Sequence, residues 1–176
     1  ADDAASWLRD AVVEANRRIC DSIRLHEDRR GMGTTVVALV HSGQDAVVGH
    51  VGDSRLYLLR GDELIRMTSD HSWVNEQVKL GLMNDDAAQR HPMRNIVTRA
   101  LGSRPDVLVD LTSVQVEPGD VFLLCSDGLS KTVSDEQLAG WMAREDIAQA
   151  VDAMSKATLA AGAPDNVTAL VVEALA

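Results

Sequence analysis

The chain has 176 residues, of which 45% are hydrophobic and 25% charged, a balance that excludes a disordered segment and suffices for one core burying about 70% of the unfolded surface. Its net charge of −10 excludes the basic footprint that nucleic acid or an anionic membrane would need. An acidic surface serves solubility and metal-gathering acid clusters equally well.

Trp7, Leu8, Ala11, Val12, Ala15, Ile19 and Ile23 recur at helical spacing and predict a helix over about residues 4–25. Asp2 and Asp3 read as capping and dipole acids at its start. Four short strands follow at about residues 34–41, 46–51, 55–59 and 64–67, separated by turn residues such as Ser42-Gly43-Gln44-Asp45 and Gly61-Asp62. Links this short predict hairpins, hence an antiparallel meander. Gly52-Asp53-Ser54-Arg55 reads as one of those hairpin turns, with Asp53 a turn residue before it is a ligand.

Asp70 or Ser72 caps a predicted helix through Trp73, Val74, Val78 and Leu80 that stops at Gly81. Residues 83–93 are polar and irregular, with a short helix at 85–90. A strand pair is predicted at 107–116 and 121–125 across Glu117-Pro118-Gly119-Asp120. Ser134 and Gln137 have capping-box spacing ahead of Leu138, Trp141 and Met142. A helix at 146–159 is broken by Gly162-Ala163-Pro164, and a last strand covers 167–172. The order is not the regular alternation of a doubly wound fold. It predicts an α+β chain, a single domain over 1–176 with antiparallel sheets covered by helices.

The two cysteines, Cys20 and Cys125, fit no zinc spacing and read as small core hydrophobes of a reducing, cytoplasmic compartment. No run approaches the roughly 18 apolar residues of a membrane helix, and no signal peptide opens the chain. The first residue is Ala, not Met, so the chain is expected to begin after processing or within something longer.

Chemistry points to strand ends. Val121-Phe122-Leu123-Leu124-Cys125 runs into Ser126-Asp127-Gly128, and Pro164-Asp165-Asn166 opens the last apolar strand. A carboxylate at the mouth of a rigid apolar strand is costly to leave unpaired, and its stiff backbone suits a ligand for a hard cation. Asp127 and Asp165 are therefore candidate metal ligands, although Asp165 also fits plain turn chemistry. Asp70 reads first as a helix cap worth about 1 kcal/mol. Gly31-Met32-Gly33-Thr34-Thr35 lacks the ending of a P-loop and reads as a flexible lead into a strand. The five histidines show no ligand spacing, and His41 and His50 read as structural residues of strands. No Gly-x-Ser-x-Gly elbow marks a serine hydrolase.

Taken in order, six segments resemble the metal-dependent protein phosphatase family, also called protein phosphatase 2C, in its bacterial form. They are Gly31-Met32-Gly33-Thr34-Thr35, Val51-Gly52-Asp53-Ser54-Arg55-Leu56-Tyr57, Thr68-Ser69-Asp70-His71-Ser72, Val97-Thr98-Arg99-Ala100-Leu101-Gly102, Leu124-Cys125-Ser126-Asp127-Gly128-Leu129-Ser130 and Asp165-Asn166-Val167-Thr168. Each is weak alone; their order across residues 31–168 is specific.

The resemblance implies two stacked antiparallel sheets between helix pairs, and a pair of Mn²⁺ or Mg²⁺ ions in the cleft. By position, Asp127 and Asp165 correspond to metal ligands, and Asp70 to an acid that shares a third ion with Asp127 in bacterial members. Residues 81–95 correspond to the family's flap. The implied activity is hydrolysis of phosphoserine and phosphothreonine in phosphorylated proteins by a metal-activated water, opposing a serine/threonine kinase.

The family's phosphate-binding Arg and its Asp-Gly-x-Gly-Gly loop have no counterpart in this sequence, so a domain lacking its N-terminal metal-binding segment and first two strands is expected. Weak metal binding and negligible turnover are expected of the 176 residues alone. The rival reading is a catalytically inactive, phosphatase-like binding or regulatory domain. A related phosphatase of the sporulation-regulator type fits the third and fourth segments less well.

Overall fold

Two hairpins carry the apolar alternation of the first half, and they belong to different sheets. The structure, a computed structural model, describes residues 2–144 and 146–175. Helix α1 (Asp2–Leu25) leads through a short tight turn at Glu27–Arg29 into β1 (Val36–Ser42) and β2 (Asp45–Val51). Strands β3 (Arg55–Arg60) and β4 (Glu63–Arg66) make the second hairpin. The order of the three-stranded sheet is β1-β2-β5, with β5 at Asp110–Gln115. That of the four-stranded sheet is β4-β3-β6-β7, with β6 at Val121–Cys125 and β7 at Ala169–Glu173. Every pairing is antiparallel.

This corrects the expected meander. The chain changes sheet between β2 and β3, because both strands are apolar on two faces and each is central in its sheet. Stacking the hairpins face to face covers the inner side of each strand and leaves the outer side for helices. Gly52 makes the corner at φ 114°, and a Cβ there would stand 2.3 Å from Thr35 Cγ2. Only glycine fits that approach. Glu117-Pro118-Gly119 is a second such corner: β5 pairs with β2, whereas β6 pairs with β3 and β7, so the expected pair of 107–116 with 121–125 does not form.

Period-two alternation then sorts the side chains. Leu56, Leu58 and Phe122 point between the sheets with Val48, while Tyr57, Leu59 and Leu123 face α5 (Asp135–Met142) and α6 (Ile147–Ala160) through Leu138, Met142 and Met154. On the other outer face, Leu8 and Val12 of α1 pack on Val47 and Val51. The layers run helix, sheet, sheet, helix, which is the predicted α+β class.

Local signals map closely. The capping box of Ser134 and Gln137 forms, Asp146 caps α6, and Ser72 caps α2 (Trp73–Lys79), with its hydroxyl accepting from Asn75 N. Asp70 is therefore not the cap. Asn84 caps α3 (Asp85–Arg90) in the region expected to be irregular. Asp2 and Asp3 lie in the first turn of α1, while the capping role foreseen for them lies outside the described residues. The last strand starts at Ala169, so Asp165 sits in the loop before it. Cys125 is buried, Cys20 half-buried, and both are free.

Asp120 pins the second corner. Its carboxylate accepts from Arg60 Nε at 2.8 Å, Arg60 Nη2 at 2.7 Å and Glu117 N at 2.9 Å, and the side chain is only 2% exposed. The Arg60 hydrogen bonds hold the Asp120 carboxyl below the usual carboxylate range. Asp120→Asn is expected to cost about 2 kcal/mol in urea unfolding at pH 7, since Arg60 is one-third exposed and can rehydrate. A depressed carboxyl stabilises above its unfolded pKa of about 3.9 and loses that contribution as pH falls through its folded value. The gap between wild type and variant should therefore close below about pH 4.

Candidate active site

The site grows from the end of the four-stranded sheet. Cys125 and Ala169 are the last paired residues of β6 and β7, and beyond them the two chains stay stitched together. Ser126 N donates to Thr168 O at 3.0 Å, and Thr168 N returns the bond to Ser126 Oγ at 3.0 Å. A Cβ on Gly128 would lie 2.3 Å from Asn166 O, so glycine is what allows helix α4 (Asp127–Ser130) to press against this loop. The loops bearing Asp127 and Asp165 are thus held side by side.

Their carboxylates are engaged differently. Asp127, half-buried at the first position of α4, accepts from Lys131 Nζ at 2.7 Å. The same ammonium donates to Asp53 Oδ2 at 2.9 Å, and Asp53 is buried at the β2–β3 corner. Burial opposes the Lys131 charge, but the hydrogen bonds to Asp127 and Asp53 outweigh it and raise the pKa. Asp165 is exposed and its Oδ1 accepts from Asn166 N at 2.7 Å, the turn geometry foreseen as its alternative.

Asp70 is buried and gripped by Arg55, whose Nε and Nη2 donate to its two oxygens at 2.9 and 2.7 Å. Burial works against the Arg55 charge, yet Asp70 more than compensates and the guanidinium pKa rises. Asp53, Asp70, Ser130 and Lys131 line a cleft of about 700 Å³ together with Arg66, Arg94, Asp85 and Glu136. Ser130 Oγ is buried there without a hydrogen-bond partner among the described residues. Carboxylate and hydroxyl oxygens of this kind fit a hard divalent cation.

Among the described residues, the compact set of three ligand-type atoms lies elsewhere, at His50, His71 and Asp110, all within 4.8 Å of one another. Asp70, Asp127 and Asp165 do not form such a set. The histidine rings are buried and stacked, with centroids 4.6 Å apart. His71 Nδ1 accepts from Gly52 N at 3.0 Å, which leaves Nε2 to donate to Asp110 at 3.1 Å. Arg99 donates to the other Asp110 oxygen, and His50 Nε2 donates to Ser69 O at 3.0 Å. Both nitrogens of His71 are thus spoken for and a guanidinium already neutralises Asp110. This is a clamp tying the Ser69–Ser72 loop, and with it Asp70, to the three-stranded sheet. Burial lowers the His71 pKa despite Asp110, which suits a neutral, orienting ring.

Reading the histidines one at a time missed this clamp. The available signal was His50 itself, a polar residue in the otherwise apolar run Ala46–Val51. Lys131 and Arg55 were missed as site residues as well, because each is defined by a partner distant in sequence.

Residues 1–172 match the family described as Protein phosphatase 2C. The "Serine/threonine phosphatase stp" of Listeria welshimeri is 36% identical over 174 residues, covering 98% of this chain and 69% of that protein. The "Serine/threonine protein phosphatase PstP" of Mycobacterium tuberculosis is 38% identical over 171 residues, covering 97% of this chain and 33% of that one. The crystal structure of the M. tuberculosis phosphatase PstP/Ppp superposes with a TM-score of 0.95 at 36% identity, over 99% of this chain and 74% of that chain. A structure of the PstP catalytic domain in complex with two manganese ions gives 0.91 at 34% identity, over 100% and 74%. With this fold, this arrangement of acids and a match across nearly its whole length, the chain belongs to the protein phosphatase 2C family.

Proposed function

We propose that this chain forms most of a protein serine/threonine phosphatase domain that cleaves phosphoserine and phosphothreonine esters with a metal-activated water. The observation that carries this is the placement of Asp127 just beyond β6, with the Asp165 loop stitched to it and its partner Lys131 lining a cleft together with Asp70. Asp127, Asp165 and Asp70 would hold Mn²⁺ or Mg²⁺. When bound, a divalent pair supplies a water acidic enough to ionise near pH 7 and neutralises charge on the phosphoryl oxygens.

The remaining roles fall to the protein itself. Arg55 fixes the orientation of Asp70, and the His71 clamp fixes its loop. Arg66 and Arg94 in the cleft lining bring positive charge to an incoming phosphoprotein. Residues 1–176 act as one domain with 81–95 as its flap, a reading supported by Asp85, Ala88, Gln89 and Arg94 lining the cleft. No helix among the described residues is long and apolar enough to cross a membrane. Two free cysteines support a cytoplasmic setting, opposite a serine/threonine kinase.

One observation favours the second reading, a catalytically inactive binding module: Lys131 already neutralises Asp127. The two separate in a single assay. At its full natural length the protein should hydrolyse p-nitrophenyl phosphate with Mn²⁺ or Mg²⁺ and lose that activity in excess chelator. Turnover that survives the chelator contradicts the metal mechanism, and no turnover with either ion leaves the binding module.

A further inference from the structure

We infer that Lys131 is a tethered cation that keeps the site paired before a divalent ion arrives and sets how tightly that ion binds, an inference resting on the metal-dependent reading above. Its ammonium bridges Asp127 and Asp53 at 2.7 and 2.9 Å. Asp127 opens α4 and Lys131 is its C-cap residue one turn later, and such a pair on an open helix surface would contribute little. Asp53 changes that. It comes from the β2–β3 corner, 78 residues earlier in the chain, and its side chain is only 6% exposed.

Among the described hydrogen bonds, Lys131 is the partner of both carboxylates. The ammonium holds Asp127 Oδ2, so an ion that takes both carboxylate oxygens must displace it. The displaced ammonium stays on Asp53, so the buried acid is never left unpaired. Lys131 can therefore yield Asp127 without disturbing the fold, and the fraction of Asp127 that is free sets the apparent affinity for the ion.

Free Mn²⁺ gives a sharp electron paramagnetic resonance signal, and its loss on titration into the protein reads binding without any reference to activity. Lys131→Met should bind Mn²⁺ about tenfold more tightly than wild type. That variant also adds net negative charge, so the double variant Lys131→Met with Asp53→Asn restores the charge balance and removes the unpaired buried acid. It should remain tighter than wild type if Lys131 competes for Asp127. A double variant that returns to wild-type affinity would mean that Lys131 acts only through its field, and the inference fails. Equal affinity of wild type and Lys131→Met also overturns it while leaving the metal reading intact. Absence of binding in all three at millimolar Mn²⁺ removes the metal reading and the inference together.

Discussion

Asp127→Ala should lower kcat/KM by at least about a hundredfold, since loss of groups that merely support a metal ligand costs 10–100-fold. Its effect on stability should be small. Asp127 contributes a first-turn acid to a four-residue helix and a half-exposed pair with Lys131, together worth about 1 kcal/mol. Lys131 keeps its second partner, Asp53. A melting temperature within about 4 °C of wild type is therefore expected. Calorimetric titration with Mn²⁺ makes the decisive comparison. An unchanged isotherm in Asp127→Ala would reduce the residue to a helix-start acid and remove the keystone of the proposed site. Asp165→Ala should shift the same isotherm in the same direction, and its exposed side chain makes an indirect effect through the core untenable.

What was legible in the sequence was whatever depends on near neighbours. The period of α1, the capping box at Ser134 and the glycine turns of both hairpins are local, and all appear as read. The assignment of strands to sheets was not legible. Gly52-Asp53-Ser54 is as good a hairpin turn as it is a corner between layers, and the choice is made by what must cover β2 and β3 on both faces. The link through Gly119 presents the same ambiguity, settled by Arg60 reaching across to Asp120.

The site divides along the same line. Asp127 announces itself as an acid at the exit of a strand, whereas Asp70 reads first as a helix cap and enters the site only through the family resemblance. The cations do not announce themselves, because Arg55 meets Asp70 across a β-hairpin and Lys131 meets Asp53 across 78 residues. The pairing of His50, His71 and Asp110 was less visible still, since three elements each contribute one unremarkable residue to it.

Arg55→Ala should be the most destabilising of these substitutions. The side chains of Arg55 and Asp70 are 16% and 10% exposed, and removing one partner leaves the other a buried, unpaired charge at a cost of about 3–5 kcal/mol. The contrast with Arg60 and Asp120 is one of access to water: there the surviving cation can rehydrate, whereas here the surviving carboxylate cannot. A fall of roughly 10 °C in melting temperature follows. The response to metal then distinguishes two roles for Asp70. If it is a ligand, Mn²⁺ replaces the lost guanidinium as its counter-charge, and saturating ion should stabilise Arg55→Ala more than it stabilises wild type. A ligand present at 100 times its dissociation constant contributes about 2.7 kcal/mol, enough to recover much of the loss. If Asp70 only anchors the Ser69–Ser72 loop, the deficit should be the same with and without Mn²⁺. That outcome would take Asp70 out of the metal site and leave Arg55 a purely structural clamp, because a counter-ion that cannot reach the carboxylate cannot compensate for the one removed.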